Sequence, residues 1–268
     1  MLDELARYNK ERWEELAQAG VAYSRPFLNL ERTAAQQLVD PLSLAGELSG
    51  KDVLCLAGGG GQQSAAFSLL GAKVTVLDLS ETQLARDREA AQHYGYQVRT
   101  EQGDMRDLSR FADGSFDVIW HAHSINFISD VNPVFDGVAR LLRPGGFYHL
   151  SFHNPVTHGM DETKWDGVGY RLCEPYINGA EIDLDRVFAV PEWTIENDAG
   201  ELLHIRGPRE FRHTFSALFN GLLQRGLQIV RFDEDPVESL DPTPGSWEHF
   251  LLVTVPYMRL WARKMVNG

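Results

Sequence analysis

The sequence VLCLAGGGGQQ, residues 53–63, is the part of the chain that decides its fold. The apolar run at 52–57 comes before four consecutive glycines, and the segment at 62–70 has a helical pattern. A short continuous apolar run bounded by glycines is typical of a buried parallel strand. Glycines between a strand and a helix let backbone N–H groups and a ligand approach each other closely. The stretch therefore predicts a strand, a ligand-binding turn and a helix.

The same alternation of strands and helices continues along the chain. We predict further strands over 73–79, 96–101, 116–121, 147–152, 227–232 and 250–255. Helices are predicted over 131–142 and 214–225, and another begins at Ser80, where SETQ has the pattern of a capping box. Strands that alternate with helices through short turns imply right-handed βαβ units. The predicted fold class is α/β, with a doubly wound, mostly parallel, seven-stranded sheet.

Four parts of the chain are predicted from this pattern. Residues 1–46 form a helical segment, with helices over 1–20 and 30–46 that the Asp40-Pro41 pair interrupts. Residues 47–153 form the core, and residues 154–206 form an insertion over one end of the sheet, with a hairpin turn around 197–200. Residues 207–268 complete the sheet. We expect the insertion to be a lid.

Composition limits the function classes. The 268 residues carry a net charge of −13, and 43% of them are hydrophobic, which excludes a disordered chain. No run of eighteen apolar residues exists, and the first residues are charged, so neither a membrane helix nor a signal peptide is expected. Two cysteines exclude a disulfide framework and a four-thiolate zinc site. We expect a cytoplasmic protein without a nucleic-acid or membrane partner.

An acid follows the second predicted strand. Asp78 lies nineteen positions after Gly59, and an acid at that place can accept hydrogen bonds from both ribose hydroxyls of an adenine nucleoside. Two ligand classes use this geometry. Dinucleotides favour a third glycine where this chain has Ser64, and S-adenosyl-L-methionine places an amino acid and a sulfonium against the loop instead. The loop and the acid leave both classes open.

The order of motifs resembles the class I S-adenosylmethionine-dependent methyltransferases, in particular the small-molecule, type-11-like group. The resemblance rests on VLCLAGGGG, VTVLDLSE, GDMRDL, FDVIWHAHSINFI and LLRPGGFYHLSF. By these motifs it covers roughly residues 50–152, and it extends more loosely over 210–264. It implies a Rossmann-like fold, S-adenosyl-L-methionine as methyl donor, S-adenosyl-L-homocysteine as product, and a small-molecule acceptor.

The resemblance also implies a set of cofactor-binding residues. Asp78 would hold the ribose diol, with Leu79 against the adenine. Asp104 would accept from the adenine amino group, and the backbone N–H of Met105 would donate to the ring. The methionine end of the cofactor would lie against the glycine loop and the exit of the fourth strand, at Ala57, Gly58, Gly59, Gly61 and His121.

Two residues depart from the family pattern. Cys55 stands where the family often has an acid, so a charge that commonly organises the loop is missing. Ala57 replaces the first glycine, and we therefore expect its backbone to avoid a conformation that only glycine favours.

Catalytic chemistry is predicted at the exit of the fourth strand. Alternate side chains of a strand point to the same side, so His121 and His123 are both expected to face one cleft. A histidine there can act as a general base, because its pKa lies near neutrality. The alternative is that both histidines only pack, since methyl transfer often needs only proximity and alignment. A metal site with His149 or His153 lacks a supporting acid or cysteine, and we predict no metal.

The acceptor is expected on the other side of the cleft. The candidates in the N-terminal loop are Tyr23 and Arg25, and those in the insertion are Trp165 and Tyr170. His213 is expected either to cap the helix that follows it or to face the acceptor. The aromatic residues of the insertion are equally consistent with a dimer surface, so a monomer and a homodimer both remain open.

Two alternative functions remain. The first is an oxidoreductase that uses NAD, which the glycine loop and Asp78 permit. The second is a non-catalytic protein that binds an adenosyl ligand, because no catalytic base is obvious in the sequence.

Overall fold

The computed structural model describes residues 2–187, 192–196, 200–235, 237 and 239–266. The strands are β1 Asp52–Leu56, β2 Lys73–Asp78, β3 Val98–Gln102, β4 Phe116–Ala122, β5 Leu142–His153, β6 Glu192–Glu196, β7 Leu202–Arg206, β8 Leu227–Glu234 and β9 Tyr257–Lys264. The helices are α1 Glu4–Gln18, α2 Arg32–Val39, α3 Gln63–Leu69, α4 Glu81–Tyr94, α5 Asn132–Leu141, α6 Leu184–Val187, α7 Phe215–Leu223 and α8 Trp247–Thr254.

One sheet organises the chain, in the order β3-β2-β1-β4-β5-β9-β8. Strands β1 to β5 are parallel, and β9 lies antiparallel between β5 and β8. This arrangement confirms the predicted seven-stranded, mostly parallel, doubly wound sheet. The chain runs outward from β1 to β3 and then crosses back to β4. The carboxyl ends of β1 and β4 therefore flank a crevice, which is where open α/β sheets bind ligands.

The core has two layers, one on each face of the sheet. Leu54 and Leu56 of β1 face the cluster beneath α5 and α7, whereas Val53 and Cys55 face α2 and α3. All four are fully buried. Burial on both faces explains why β1 is continuously apolar, and each buried leucine contributes about 1.5–3 kcal/mol.

The predicted strand over 250–255 is wrong. Residues 250–254 belong to α8, whose N-cap Ser246 accepts a hydrogen bond from the His249 N–H, and Val255 is its C-cap. A short apolar run fits a buried helix as well as a strand, and the N-cap decides for the helix. The last strand is instead β9, where buried Met258 and Leu260 lie on either side of Arg259.

The inserted region carries its own hairpin. Strands β6 and β7 pair antiparallel, from Glu192 opposite Arg206 to Glu196 opposite Leu202. Of the predicted turn, residues 197–199 lie outside the described residues. The division of the chain into four parts remains a prediction. Among the described residues, none of the helices combines the length and apolar character needed to cross a membrane.

Candidate functional site

The glycine loop between β1 and α3 is held against the end of β2. The Gly59 N–H donates to Asp78 Oδ2 at 3.0 Å, and the Ser80 N–H donates to Asp78 Oδ1 at 2.9 Å. A Cβ at Gly59 would lie 2.6 Å from Gln83 Cβ and 3.1 Å from Asp78 Cγ, so only glycine fits there. Burial raises the pKa of Asp78 to about 6. The predicted pairing of loop and acid is thus present in the structure.

A second carboxylate under the loop could not be identified from the sequence. Asp87 of α4 is fully buried, and its two oxygens accept the N–H groups of Gly60 at 3.1 Å and Gly61 at 3.2 Å. Its Oδ1 also accepts the Ser64 hydroxyl. Burial raises the pKa of Asp87 to about 7, with the nearby Asp78 charge as a further cause. Asp87 therefore supplies from α4 a carboxyl group under the loop, where Cys55 supplies none from β1.

The expectation for Ala57 is wrong. Its φ is 46°, in the left-handed region that favours glycine. A residue with a Cβ pays roughly 1–2 kcal/mol for that conformation. The carbonyl oxygen of Ala57 accepts the Ser124 hydroxyl at 2.9 Å, which connects the loop to the segment that follows β4. The strained turn is therefore stabilised by its contact with the fourth strand's exit.

The remaining glycines of the loop differ in what they require. A Cβ at Gly61, whose φ is 74°, would lie 2.6 Å from the Arg86 carbonyl oxygen. A Cβ at Gly58 would meet atoms no closer than 3.5 Å, which is an ordinary contact. The close approach therefore concerns Gly59, Gly60 and Gly61 rather than Gly58.

The residues predicted for the adenine lie beyond β2 and β3. The Leu79 carbonyl accepts the Gln102 side-chain amide at 3.0 Å, and Met105 is buried in the core. Asp104 pairs with Arg106, whose Nη2 lies 2.6 Å from Asp104 Oδ2. The same guanidinium binds Asp3 at the start of α1.

Helix α1 crosses the carboxyl edge of the sheet. Its Glu14 accepts the Glu81 N–H at 2.8 Å, immediately after β2. Its Asn9 donates to the Phe127 carbonyl at 3.0 Å, in the turn after β4, and Trp13 packs edge-on against Phe127 at 5.3 Å between ring centroids. With the Asp3 contact beyond β3, α1 reaches the exits of three strands and covers the crevice.

The two candidate catalytic histidines have different surroundings. His121 is fully buried, its Nδ1 lies 2.8 Å from the Tyr148 hydroxyl, and burial lowers its pKa to about 3. His123 has left the strand with a φ of 54°, and its ring packs edge-on against Tyr257 at 5.2 Å. Burial lowers the pKa of His123 as well, and its Nδ1 has no hydrogen-bond partner among the described residues. Of the two histidines, only His123 is half-buried at the carboxyl edge of the sheet, whereas His121 is fully buried.

The predicted acceptor residues fall into two groups, of which Tyr23 and Arg25 form the first. Tyr23 is 64% exposed, and its carbonyl oxygen lies 2.9 Å from where a Cβ on Gly60 would be. Arg25 Nε donates to the Gly20 carbonyl, and the Arg25 carbonyl accepts the Gln62 side chain. The segment with Tyr23 and Arg25 therefore packs directly on the glycine loop.

The other three candidates lie farther along the chain. Tyr170 contacts His249 Nδ1 at 3.0 Å, and Trp165 packs edge-on against the same imidazole at 4.5 Å. Trp165 also lines a cavity of about 320 Å³ in the insertion. His213 is buried, and its Nε2 lies 3.0 Å from the Ile125 carbonyl oxygen, so it anchors the turn after β4. The helix cap is Thr214 instead.

The site fits the expected cofactor. The crevice offers a carboxylate at the end of β2 that can accept from a ribose diol, and a loop whose close packing admits glycine alone at Gly59. A covering helix lies above these groups. An adenosyl ligand needs these groups, and they lie together at one edge.

Comparisons with known proteins agree with this geometry. Residues 54–150 match the family model described as a methyltransferase domain. The chain is 35% identical over 189 residues to YbaJ of Bacillus subtilis, described as an uncharacterized methyltransferase, and the match covers 70% of each protein. It is 32% identical over 111 residues to the ubiquinone biosynthesis O-methyltransferase of Bordetella avium, covering 41% of this chain and 46% of that one.

A solved structure has the same fold. The crystal structure of an S-adenosylmethionine-dependent methyltransferase from Mesorhizobium loti superposes with a TM-score of 0.62 at 20% identity, covering 88% of this chain and all of that one. The extent and identity of the match to YbaJ establish the family, and the fold agrees with it. The chain therefore belongs to the methyltransferase family and has the fold of its S-adenosylmethionine-dependent members.

Proposed function

We propose that this protein transfers a methyl group from S-adenosyl-L-methionine to a small-molecule acceptor and releases S-adenosyl-L-homocysteine. The observation that carries the proposal is the pairing of the glycine loop with Asp78 at the crevice, beneath α1. When bound, the cofactor would supply an electrophilic methyl group on a sulfonium, so that a bond from the acceptor's nucleophile to the methyl carbon forms as the carbon–sulfur bond breaks and a neutral thioether leaves.

The protein's own contribution is binding, alignment and exclusion of water. Asp78 accepts from the ribose hydroxyls, and Leu79, Asp104 and Met105 surround the adenine. Helix α1 closes the crevice, as its contacts with the exits of β2, β3 and β4 suggest. Desolvation and alignment are the effects that methyl transfer needs most. We expect α1 to become more protected from hydrogen exchange when the cofactor binds.

We propose His123 as the residue that takes the acceptor's proton. Its imidazole is neutral at physiological pH because burial lowers its pKa, and its Nδ1 is not engaged by the described residues. His121 contacts Tyr148 inside the sheet layer and does not share this position. We therefore assign His121 to packing beside the cofactor's methionine end.

The acceptor side is proposed to consist of Tyr23 and Arg25, next to the loop, and of Trp165 and Tyr170 in the insertion, whereas His213 anchors the turn after β4. The related protein from Bordetella avium is named as an O-methyltransferase, so acceptors with a hydroxyl group are the first class to test. We expect the protein to act as a monomer or homodimer.

The experiment is a transfer assay with methyl-labelled S-adenosylmethionine and a panel of phenols, amines, thiols and carboxylic acids. The proposal predicts label in at least one class and a drop of about 10²-fold or more in kcat for His123→Ala, the range typical of a general base. The matched control is His204→Ala, an exposed histidine on β7 that should leave the rate unchanged. Cofactor binding without transfer to any acceptor would favour the non-catalytic alternative. Binding of NAD alone would favour the oxidoreductase.

A further inference from the structure

A group of three metal-binding side chains lies beside this site. His153 ends β5, His158 lies in the turn that follows, and Glu210 precedes α7. One donor atom from each can be chosen so that all lie within 4.8 Å of one another. His158 Nε2 is already 2.8 Å from Glu210 Oε2. The sequence did not indicate this group, because Glu210 is 52 residues from His158.

The backbone around the group is held by contacts that do not involve the three donors. The His153 N–H donates to Asn126 Oδ1 at 3.1 Å, and the His158 N–H donates to the Asn154 carbonyl at 2.9 Å. Arg212, which is buried, donates to the His158 carbonyl. A rigid frame of this kind is what a metal site needs around its ligands.

The side chains themselves are not fully satisfied. His158 is 6% exposed, and its Nδ1 has no hydrogen-bond partner among the described residues. The rings of His153 and His158 stack with centroids 4.5 Å apart and planes at 15°. Two imidazoles and a carboxylate are a donor set that suits zinc and other divalent transition metals.

We propose that His153, His158 and Glu210 bind one divalent transition-metal ion. Ligand bonds of about 2.0–2.1 Å place tetrahedral donors roughly 3.3 Å apart, so the stacked rings must turn edge-on to reach the ion. Binding of the ion displaces the proton of the hydrogen bond between His158 Nε2 and Glu210 Oε2, and this proton is released to solvent. The positive charge of Arg212 opposes binding, and the carboxylate of Glu210 offsets it.

Three protein ligands leave at least one coordination position open. The His153 ring lies 6.2 Å from the His123 ring and 5.0 Å from the Tyr257 ring. The group therefore adjoins His123, and we expect an oxygen of the acceptor to take the open position. This last step rests on the proposed function, whereas metal binding itself does not.

The test is a titration of chelator-treated full-length protein with Co²⁺, followed by its visible absorption and by competition with Zn²⁺. We expect one equivalent bound with ligand-field bands of a nitrogen-containing site. Glu210→Gln and His158→Ala should each weaken binding at least about tenfold. His204→Ala, an exposed histidine on β7 that is not part of the group, is the control and should bind as the parent protein does.

Two outcomes would overturn the proposal. One is the absence of the absorption bands in the parent protein, and the other is equal affinity in the parent and in Glu210→Gln, which preserves the side chain's shape. Titration of the same variants with S-adenosylmethionine keeps this result separate from the proposed function. Unchanged cofactor binding also shows that the variants are folded.

Discussion

Replacing Asp87 by asparagine should separate the stability of the protein from its affinity for the cofactor. The carboxylate is fully buried and accepts two loop amides and the Ser64 hydroxyl. Its pKa is raised from the usual 3.8 to about 7. An acid with a raised pKa stabilises the folded state fully below its unfolded pKa, and this contribution is lost as the pH rises through the folded value.

Two effects decide whether Asp87→Asn raises or lowers the free energy of unfolding: the ionisation of Asp87 in the parent and the lost hydrogen-bond acceptor in the variant. A shift of about three pH units corresponds to roughly 4 kcal/mol, which the parent protein loses between pH 4 and pH 8 and which Asp87→Asn does not. The variant leaves one buried loop amide without an acceptor, which costs about 1–3 kcal/mol at every pH. We therefore expect Asp87→Asn to be less stable than the parent at pH 4 and more stable at pH 8.

Cofactor binding should change in the opposite direction at pH 8. The loop loses the acceptor that holds Gly60 or Gly61, so we expect S-adenosylmethionine to bind about tenfold more weakly, or about 1.4 kcal/mol. Urea unfolding at both pH values and calorimetric titration measure the two quantities. The control is Glu89→Gln, an exposed carboxylate on the same helix that pairs with Arg86, where we expect changes below about 0.5 kcal/mol. A deficit in the unfolding free energy that is equal at both pH values would refute the reasoning.

Three further predictions concern the loop and its acid. Gly59→Ala should weaken cofactor binding at least about tenfold, because its Cβ would overlap Gln83, whereas Gly58→Ala should leave it nearly unchanged; similar affinities in calorimetry would contradict the geometry. Ala57→Gly should raise the free energy of unfolding by about 1 kcal/mol, because it relieves a φ of 46°, and a lower melting temperature would speak against the strain. Affinity for S-adenosylmethionine should fall by about tenfold per pH unit below about pH 6, because a protonated Asp78 accepts fewer hydrogen bonds from the ribose. An equally steep pH profile in Asp78→Asn would show that another group causes the pH dependence.

Much of the fold can be predicted from the sequence, because strands buried on both faces are continuously apolar. Strands β1 and β2 are apolar on both faces and end at turn residues, so their positions follow from the sequence. Strand β9 is hard to predict because two arginines, Arg259 and Arg263, interrupt its apolar residues, and the apolar run of α8 has a length that suits a strand as well as a helix. The N-cap at Ser246 is the signal that distinguishes the helix.

Only part of the candidate site can be predicted from the sequence. Asp78 lies nineteen positions after Gly59, at the end of the second strand, and this spacing predicts that the acid and the glycine loop form one site. Asp87 could not be predicted in this way, because a buried acid on a helix next to exposed charged residues has no distinctive local pattern, and only the tertiary structure brings it to the loop. The same holds for His158 and Glu210.

The measurement that tests the central claim most directly is calorimetric titration with S-adenosylmethionine, S-adenosylhomocysteine and NAD in parallel, on the parent protein and on Asp78→Ala. The account predicts Kd values of about micromolar order for both adenosyl ligands, no binding of NAD, and a loss of at least about tenfold in the variant. Binding of NAD alone, or an Asp78→Ala variant that binds S-adenosylmethionine as tightly as the parent, would contradict it.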